Sequence, residues 1–340
     1  MTNNKYKFPY KWNLADGYPA KGIAKNECNV FGTFICGGGS TMGYKLGGFN
    51  HLGGVEIDPQ VADVYKENHK PKYLFVEDIR EFNKRTDLPK ELFNLDILDG
   101  SPPCSTFSMA GSREKAWGKE KQFREGQAVQ TLDDLVFVYC DTIIKLQPKV
   151  FLLENVKGII QGNAKAYSKE IVKKMTAAGY VVQVFCLNAA SMGVPQKRER
   201  VFFIGHKKEF VLPKLELVFN EAGVTFGEIQ HSDLNGNLTP LTLSRWHKTK
   251  QGHKVGLYKS DLKFKDAAIC TTIRSNGTSY HSTQPRELSD LEIIQIGTYP
   301  MDYNFKKIKP QYLIGMSVPP VMTAQISHQI YLQWLIKIKQ

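Results

Sequence analysis

Apolar residues fall in short runs divided by polar and amphipathic stretches over positions 30–204: 31–35, 52–57, 73–76, 95–98, 150–153, 180–185 and 201–204. Each run has the length of a buried strand and is rich in Val, Ile, Leu, Phe or Tyr, so each is read as one. Between two of them Leu132, Leu135, Val136, Tyr139, Ile143 and Leu146 recur at helical spacing, behind Asp133 and Asp134 and ahead of Pro148, which predicts a crossover helix. Strands alternating with helices predict an α/β fold, a doubly wound sheet covered on both faces.

The rhythm changes after 205. Short polar and basic pieces punctuated by Gly223, Gly227, Gly236, Gly252, Gly256 and Gly277 predict a second, smaller and irregular domain. Towards the end, Pro319 and Pro320 open a predicted amphipathic helix with Met322, Ile326, Ile330 and Trp334 spaced by fours. The expected division is 1–205, 206–285 and 286–340, with residues 1–22 packing on the core as an extension.

Composition narrows the function classes. No apolar run approaches the roughly 18 residues that a membrane span needs. The start of the chain has no apolar stretch before a small-residue cleavage site, so no secretory signal is expected. Forty-five Lys and Arg against 33 Asp and Glu leave a formal charge of +12, which favours a polyanionic partner. Six cysteines without close pair spacing argue for reduced thiols and against a zinc site or redox couple, and no metal is expected.

Four segments carry chemistry. Gly37, Gly39 and Gly43 follow the first strand, and Glu56 ends the next, as in folds that bind a nucleotide cofactor; the pattern suits a nicotinamide enzyme almost as well as S-adenosylmethionine. Ser101-Pro102-Pro103-Cys104 places a thiol where two prolines force the chain out of a strand. Glu154-Asn155-Val156 sets a carboxylate at the end of a buried run, where it needs a partner or a proton. Gln196-Lys197-Arg198-Glu199-Arg200 leads into another strand, with its two arginines on one side if the segment is extended.

In this order the four segments resemble the cytosine-C5 DNA methyltransferase family over about residues 30–205, and the likeness resumes over about 286–330. The resemblance implies a Rossmann-like methyltransferase domain with a small target-recognition domain. It implies S-adenosylmethionine held by Ile35, Gly37, Gly39, Glu56 on the ribose, Ile57, Asp78 and Ile79 at the adenine, and Pro103, Ser317 and Val318. Cys104 would be the nucleophile at carbon 6 of a flipped cytosine, Glu154 would meet its nitrogens 3 and 4, and of Arg198 and Arg200 one would reach the oxygen at position 2 while the other organises Glu154 or the loop. The stretch 105–131 would close over the substrate. Ser108 and Gln196, with Arg245, Lys248 and Lys254 of the small domain, are the expected DNA contacts.

Ser40, Thr33, Ser101, Ser105 and Met316 depart from the family pattern. The implied partner is double-stranded DNA. The protein is expected to be monomeric and cytoplasmic, on the chromosome, with a restriction endonuclease acting separately. An RNA methyltransferase, a catalytically silent DNA-binding homologue and a nicotinamide oxidoreductase are the competing readings.

Overall fold

The computed structural model describes residues 7–103, 134–231, 236, 238–258 and 261–339, with the backbone of two short strands, Glu120–Lys121 and Gln130–Thr131. Cys104, Ser108 and most of the expected closing loop lie outside the described residues. The two short strands within that loop pair antiparallel, Glu120 opposite Thr131.

All seven apolar runs join one sheet. Its strands are β1 (Asn29–Thr33), β2 (Asn50–Glu56), β3 (Tyr73–Val76), β4 (Ile97–Gly100), β5 (Val150–Val156), β6 (Tyr180–Asn188) and β7 (Glu199–Lys207). Their spatial order is β3-β2-β1-β4-β5-β7-β6. β7 enters antiparallel between β5 and β6, and the other neighbouring pairs run parallel. The winding direction reverses between β1 and β4, so the connections after them diverge and leave a crevice at their carboxyl ends.

Strand residues alternate between two cores, as a period of two requires. Val30, Ile97, Val150, Leu152, Phe202 and Ile204 face one cluster, which takes in α1 (Gly39–Leu46), α2 (Pro59–His69) and the later helix α9 (Pro320–Ile330). Phe31, Leu98, Phe151, Leu153, Val201 and Phe203 face the other, beneath α3 (Ile79–Lys84), α4 (Leu135–Leu146) and α5 (Lys165–Ala177). Helices therefore cover both faces. The start of the chain joins the first core through Phe8 and Trp12, whose indole Nε1 donates to Thr298 O at 2.9 Å.

Local chemistry sets the ends of the elements. β1 stops two residues before its apolar run does, because Phe34 (φ 55°) and Cys36 (φ 48°) adopt the left-handed region and turn the chain out of the ladder. β4 lies two residues later than its apolar run and includes a buried acid, Asp99. α2 begins at Pro59 because the Asp58 carboxylate accepts from the backbone N–H of Gln60 and Val61, capping the first turn. α4 ends where Gln147 turns left-handed, one residue before Pro148.

One expectation changes. α9 is buried on every side except at Gln329, rather than amphipathic, because α1 packs on one flank while Met192, Glu221 and Phe8 meet the helix elsewhere. At Gly43 an added Cβ would lie 2.4 Å from Thr323 Cβ, so only glycine lets α1 sit this close to α9. A π turn, Tyr331–Leu335, follows and buries Trp334, whose Nε1 donates to Pro213 O.

The stretch from 206 divides between two apolar centres. Leu215, Leu217, Phe219, Val224, Phe226 and Ile229 belong to the main core. The apolar centre standing apart from it is Trp246, Val255 and Tyr280, with Leu238 against them. It is built around α6 (Pro240–Lys248), with the Lys263 ammonium 3.4 Å from the centre of the Trp246 ring.

Candidate active site and cofactor cleft

A cleft of about 1020 Å³ opens along the carboxyl ends of β1 to β5. Each strand hands it a short segment: 34–36 after β1, 56–58 at the end of β2, 77–79 after β3, 101–103 after β4 and 154–158 at the end of β5. Arg198 and Arg200, with residues 272–276 and 315–318, complete its lining.

On the β1–β3 side, apolar Ile35, Val55, Ile57, Ile79 and Leu135 lie among the carboxylates of Glu56, Asp58, Glu77 and Asp78. Glu56 ties two loops together: Oε2 accepts from Cys36 N at 2.9 Å and Oε1 from Asp58 N at 2.9 Å. Burial pushes its carboxyl above the usual range, and those two N–H bonds pull it back. Asp78 caps α3, accepting from Arg80 N at 2.7 Å and pairing with the Arg80 guanidinium at 3.1 Å.

The glycines divide differently from expectation. Gly39 lines the cleft, but an added Cβ there would lie 2.4 Å from Val318 O, so it also admits the carboxyl-terminal segment. Gly37 is not part of the cleft wall; Leu313 and Tyr299 pack against it, and its carbonyl accepts from Tyr303 Oη. Pro103, Ser317 and Val318 all face the cleft, and the Ser317 hydroxyl also contacts Tyr299 Oη and Leu313 O.

On the β5–β7 side, antiparallel pairing sets Glu154 opposite Phe202 and Val156 opposite Arg200. Glu154 and Arg200 are therefore diagonal neighbours, and Arg200 Nε lies 2.8 Å from Glu154 Oε1. Both side chains are more than four-fifths buried, so the attraction is only weakly screened. Asn155 Nδ2 reaches back to Pro102 O at 3.3 Å and joins this strand end to the segment leading into Cys104.

Arg198 is 1% exposed. Its terminal nitrogens donate to Ile273 O at 3.2 Å and Gly315 O at 3.0 Å, while Nε has no hydrogen-bond partner among the described residues. Burial, and then the Arg200 charge, oppose its cation; Glu154 favours it. An unmet buried donor costs about 1–3 kcal/mol until an acceptor reaches it.

Gln196 was expected at DNA and is placed elsewhere. It is 1% exposed, with Nε2 donating to Ile296 O at 2.9 Å and Oε1 accepting from Ile273 N at 3.3 Å, so both ends of its amide are used inside the protein. Arg245, Lys248 and Lys254 are exposed on α6 and the turn after it, and none of the three lines the cleft.

Sequence reasoning missed two features. Asp99, 4% exposed, accepts from Tyr44 Oη at 3.2 Å; burial lifts its carboxyl to about 7, with Tyr44 and Ser40 opposing the rise and Glu154 adding to it. The serine that departs from the family pattern thus meets a buried acid. An acid directly after an apolar run was the available signal. The second is the 272–276 rim, held by Thr272 Oγ1 on Lys197 O and by Gln311 Nε2 on Arg274 O and Gly277 O. Its signal was a polar Arg-Ser-Asn-Gly turn.

Comparison with known proteins gives the family and the fold. The family profile described as C-5 cytosine-specific DNA methylase matches residues 29–332. The Type II methyltransferase M1.HphI of Haemophilus parahaemolyticus is 28% identical over 330 residues, covering 87% of this chain and 85% of its own. M.FnuDI of Fusobacterium nucleatum is 34% identical over 190 residues, 55% of this chain and 49% of its own. Among solved structures, a candidate DNA modification methyltransferase from an E. coli prophage superposes with a TM-score of 0.70 at 20% identity, over 90% of this chain and 99% of that one. A Spodoptera frugiperda DNMT2 variant gives 0.64 at 16% identity, over 90% and 100%. With the profile spanning nearly the whole chain, the protein belongs to the C-5 cytosine-specific DNA methylase family.

Proposed function

We propose that this chain transfers a methyl group from S-adenosylmethionine to carbon 5 of a flipped cytosine in a short duplex DNA site. The observation that carries the reading is the wall formed by Glu154, Arg200 and Arg198 around the exit of β4, where Pro102 and Pro103 lead into Cys104, in the same cleft as the strand-end acids. The cleft's donor set fits the cofactor. Apolar side chains at 35, 57 and 79 suit a purine, and carboxylates at 56 and 78 suit hydroxyls, an amino group and a cation. Ile35, Gly39, Glu56, Ile57, Asp78, Ile79, Pro103, Ser317 and Val318 would hold it, and Gly37 would support them from behind. Once bound, it supplies an electrophilic methyl group.

The protein's own task is to make carbon 5 nucleophilic. Cys104 adds as thiolate to carbon 6, which moves an electron pair towards carbon 5. Glu154, held by Arg200, shares a proton with the ring at nitrogen 3 and stabilises the electron-rich adduct. Arg198 brings a donor to the oxygen at position 2. After methyl transfer the proton at carbon 5 leaves to a base, and the same electron pair expels the Cys104 sulfur. A stacked cytosine cannot meet these groups, so the base must leave the helix.

Ser108, Arg245, Lys248 and Lys254 are proposed to face DNA. The Type II naming of relatives supports a companion endonuclease acting separately. The test is bisulfite sequencing of DNA from a host expressing this chain, with a parallel methyl-transfer assay on tRNA. Protection of cytosines in one sequence context supports the reading. Label entering tRNA alone would move the substrate to RNA, and label entering neither would favour a silent binding protein.

A further inference from the structure

Next to the main cleft lies a second cavity of about 370 Å³, lined by Ser275, Asn276, Gly277, Lys307, Ile308, Lys309, Gln311 and Tyr312. Ser275, Asn276 and Tyr312 line both cavities, so the two meet along one ridge. The ridge is fixed. Gln311 Nε2 donates to Arg274 O at 3.2 Å and to Gly277 O at 2.6 Å, and Arg198 donates to Ile273 O just before it.

The charge of the side cavity is one-sided. Lys306 is neutralised by Asp63 at 2.7 Å and Glu67 at 3.7 Å. Lys307 and Lys309 are exposed and form no ion pair among the described residues, and no carboxylate lines this cavity. Arg274, exposed on the ridge, faces the main cleft with Asn276. Two or three uncompensated cations beside a cleft that takes a base suit a ligand carrying regularly spaced negative charge, and a polynucleotide strand has this form.

We propose that the side cavity binds the sugar-phosphate backbone of the substrate strand next to the target cytosine, with Lys307 and Lys309 on phosphates and Arg274 and Asn276 along the ridge. It lies apart from Arg245, Lys248 and Lys254, none of which lines either cavity, and so adds a second line of contact. A strand gripped on the ridge beside the cleft mouth is held where one nucleotide must leave the stack. The inference rests on DNA being the substrate.

The test is DNA binding as a function of salt, using a duplex containing the methylated site, for the wild type and the Lys307→Ala/Lys309→Ala variant. The expected result is an affinity loss of about 10- to 100-fold near 0.1 M salt and a salt slope shallower by about two, since each phosphate contact contributes about 0.9. Cofactor affinity should stay within twofold. Lys307→Arg/Lys309→Arg should restore both affinity and slope, which separates charge from a folding defect. Single methylphosphonate substitutions flanking the target cytosine should weaken the wild type at one or two positions and leave the alanine variant indifferent there. Equal affinity and slope in wild type and variant, or an unchanged methylphosphonate profile, would overturn the proposal. A wild type that binds no duplex DNA would instead overturn the reading on which it rests.

Discussion

Glu56 and Glu154 lie near the carboxyl ends of two strands of one sheet and line one cleft, yet they are satisfied in opposite ways. Glu56 accepts two backbone N–H bonds from the loops it joins, and Glu154 faces the Arg200 guanidinium. Backbone donors cannot move without moving the loops, so Glu56 shapes a fixed binding surface. A side-chain ion pair can exchange or share a proton while the backbone stays still, which is what stabilising a changing charge on a base requires. On the proposed function, the β1–β3 half of the cleft holds and the β5–β7 half reacts.

The largest expected effect lies in the reacting half. Glu154→Gln should lower the methyl-transfer rate by about 10²–10⁴-fold while cofactor affinity measured by calorimetry changes less than threefold. A comparable loss of cofactor affinity would erase the distinction between the halves. Arg200→Ala should give a similar rate loss and also destabilise the fold by about 3–5 kcal/mol in denaturant titration, because it strands a buried carboxylate.

Between the halves sits Asp99, whose carboxyl is lifted to about 7 in the folded protein and returns to near 3.9 when unfolded. The native state then holds the extra proton between those values, so this group makes stability fall as pH rises from about 4 to about 7, with no further change above. Asp99→Asn should match the wild type near pH 4 and exceed it by up to a few kcal/mol at pH 8. Parallel stability curves for the two proteins would contradict the protonated state.

A smaller effect is expected in the holding half. Glu56→Ala should weaken S-adenosylmethionine binding by about 1–3 kcal/mol and leave the single-turnover rate at saturating cofactor nearly unchanged. A rate loss that saturation cannot recover would move Glu56 into the reacting group.

Much of this architecture was legible in the chain. Short apolar runs of strand length marked all seven strands, and their spacing by helices implied the covered sheet. What stayed hidden depended on contacts distant in sequence. Left-handed Phe34 and Cys36 end β1 inside an apolar run, and nothing local announces it. α9 reads as amphipathic because its polar residues, such as Gln325 and Ser327, are buried by segments more than 100 positions away or bonded within the helix. Gln196 looked free for DNA because both of its partners are distant in sequence, Ile273 by 77 positions and Ile296 by 100. The chemistry-bearing Glu154, Arg198 and Arg200 could be named, but which arginine holds the glutamate emerges only from the β5–β7 register.

The most direct test of the account is a duplex carrying 5-fluorocytosine at the methylated position, incubated with S-adenosylmethionine. Fluorine cannot leave carbon 5 as a positive ion, so the final elimination is blocked and the Cys104 sulfur stays bonded to carbon 6. The account predicts a denaturation-resistant protein–DNA species that requires the cofactor, vanishes in Cys104→Ser and forms more slowly in Glu154→Gln. Efficient methylation of ordinary cytosine with no trapped species on the fluorinated duplex would contradict it.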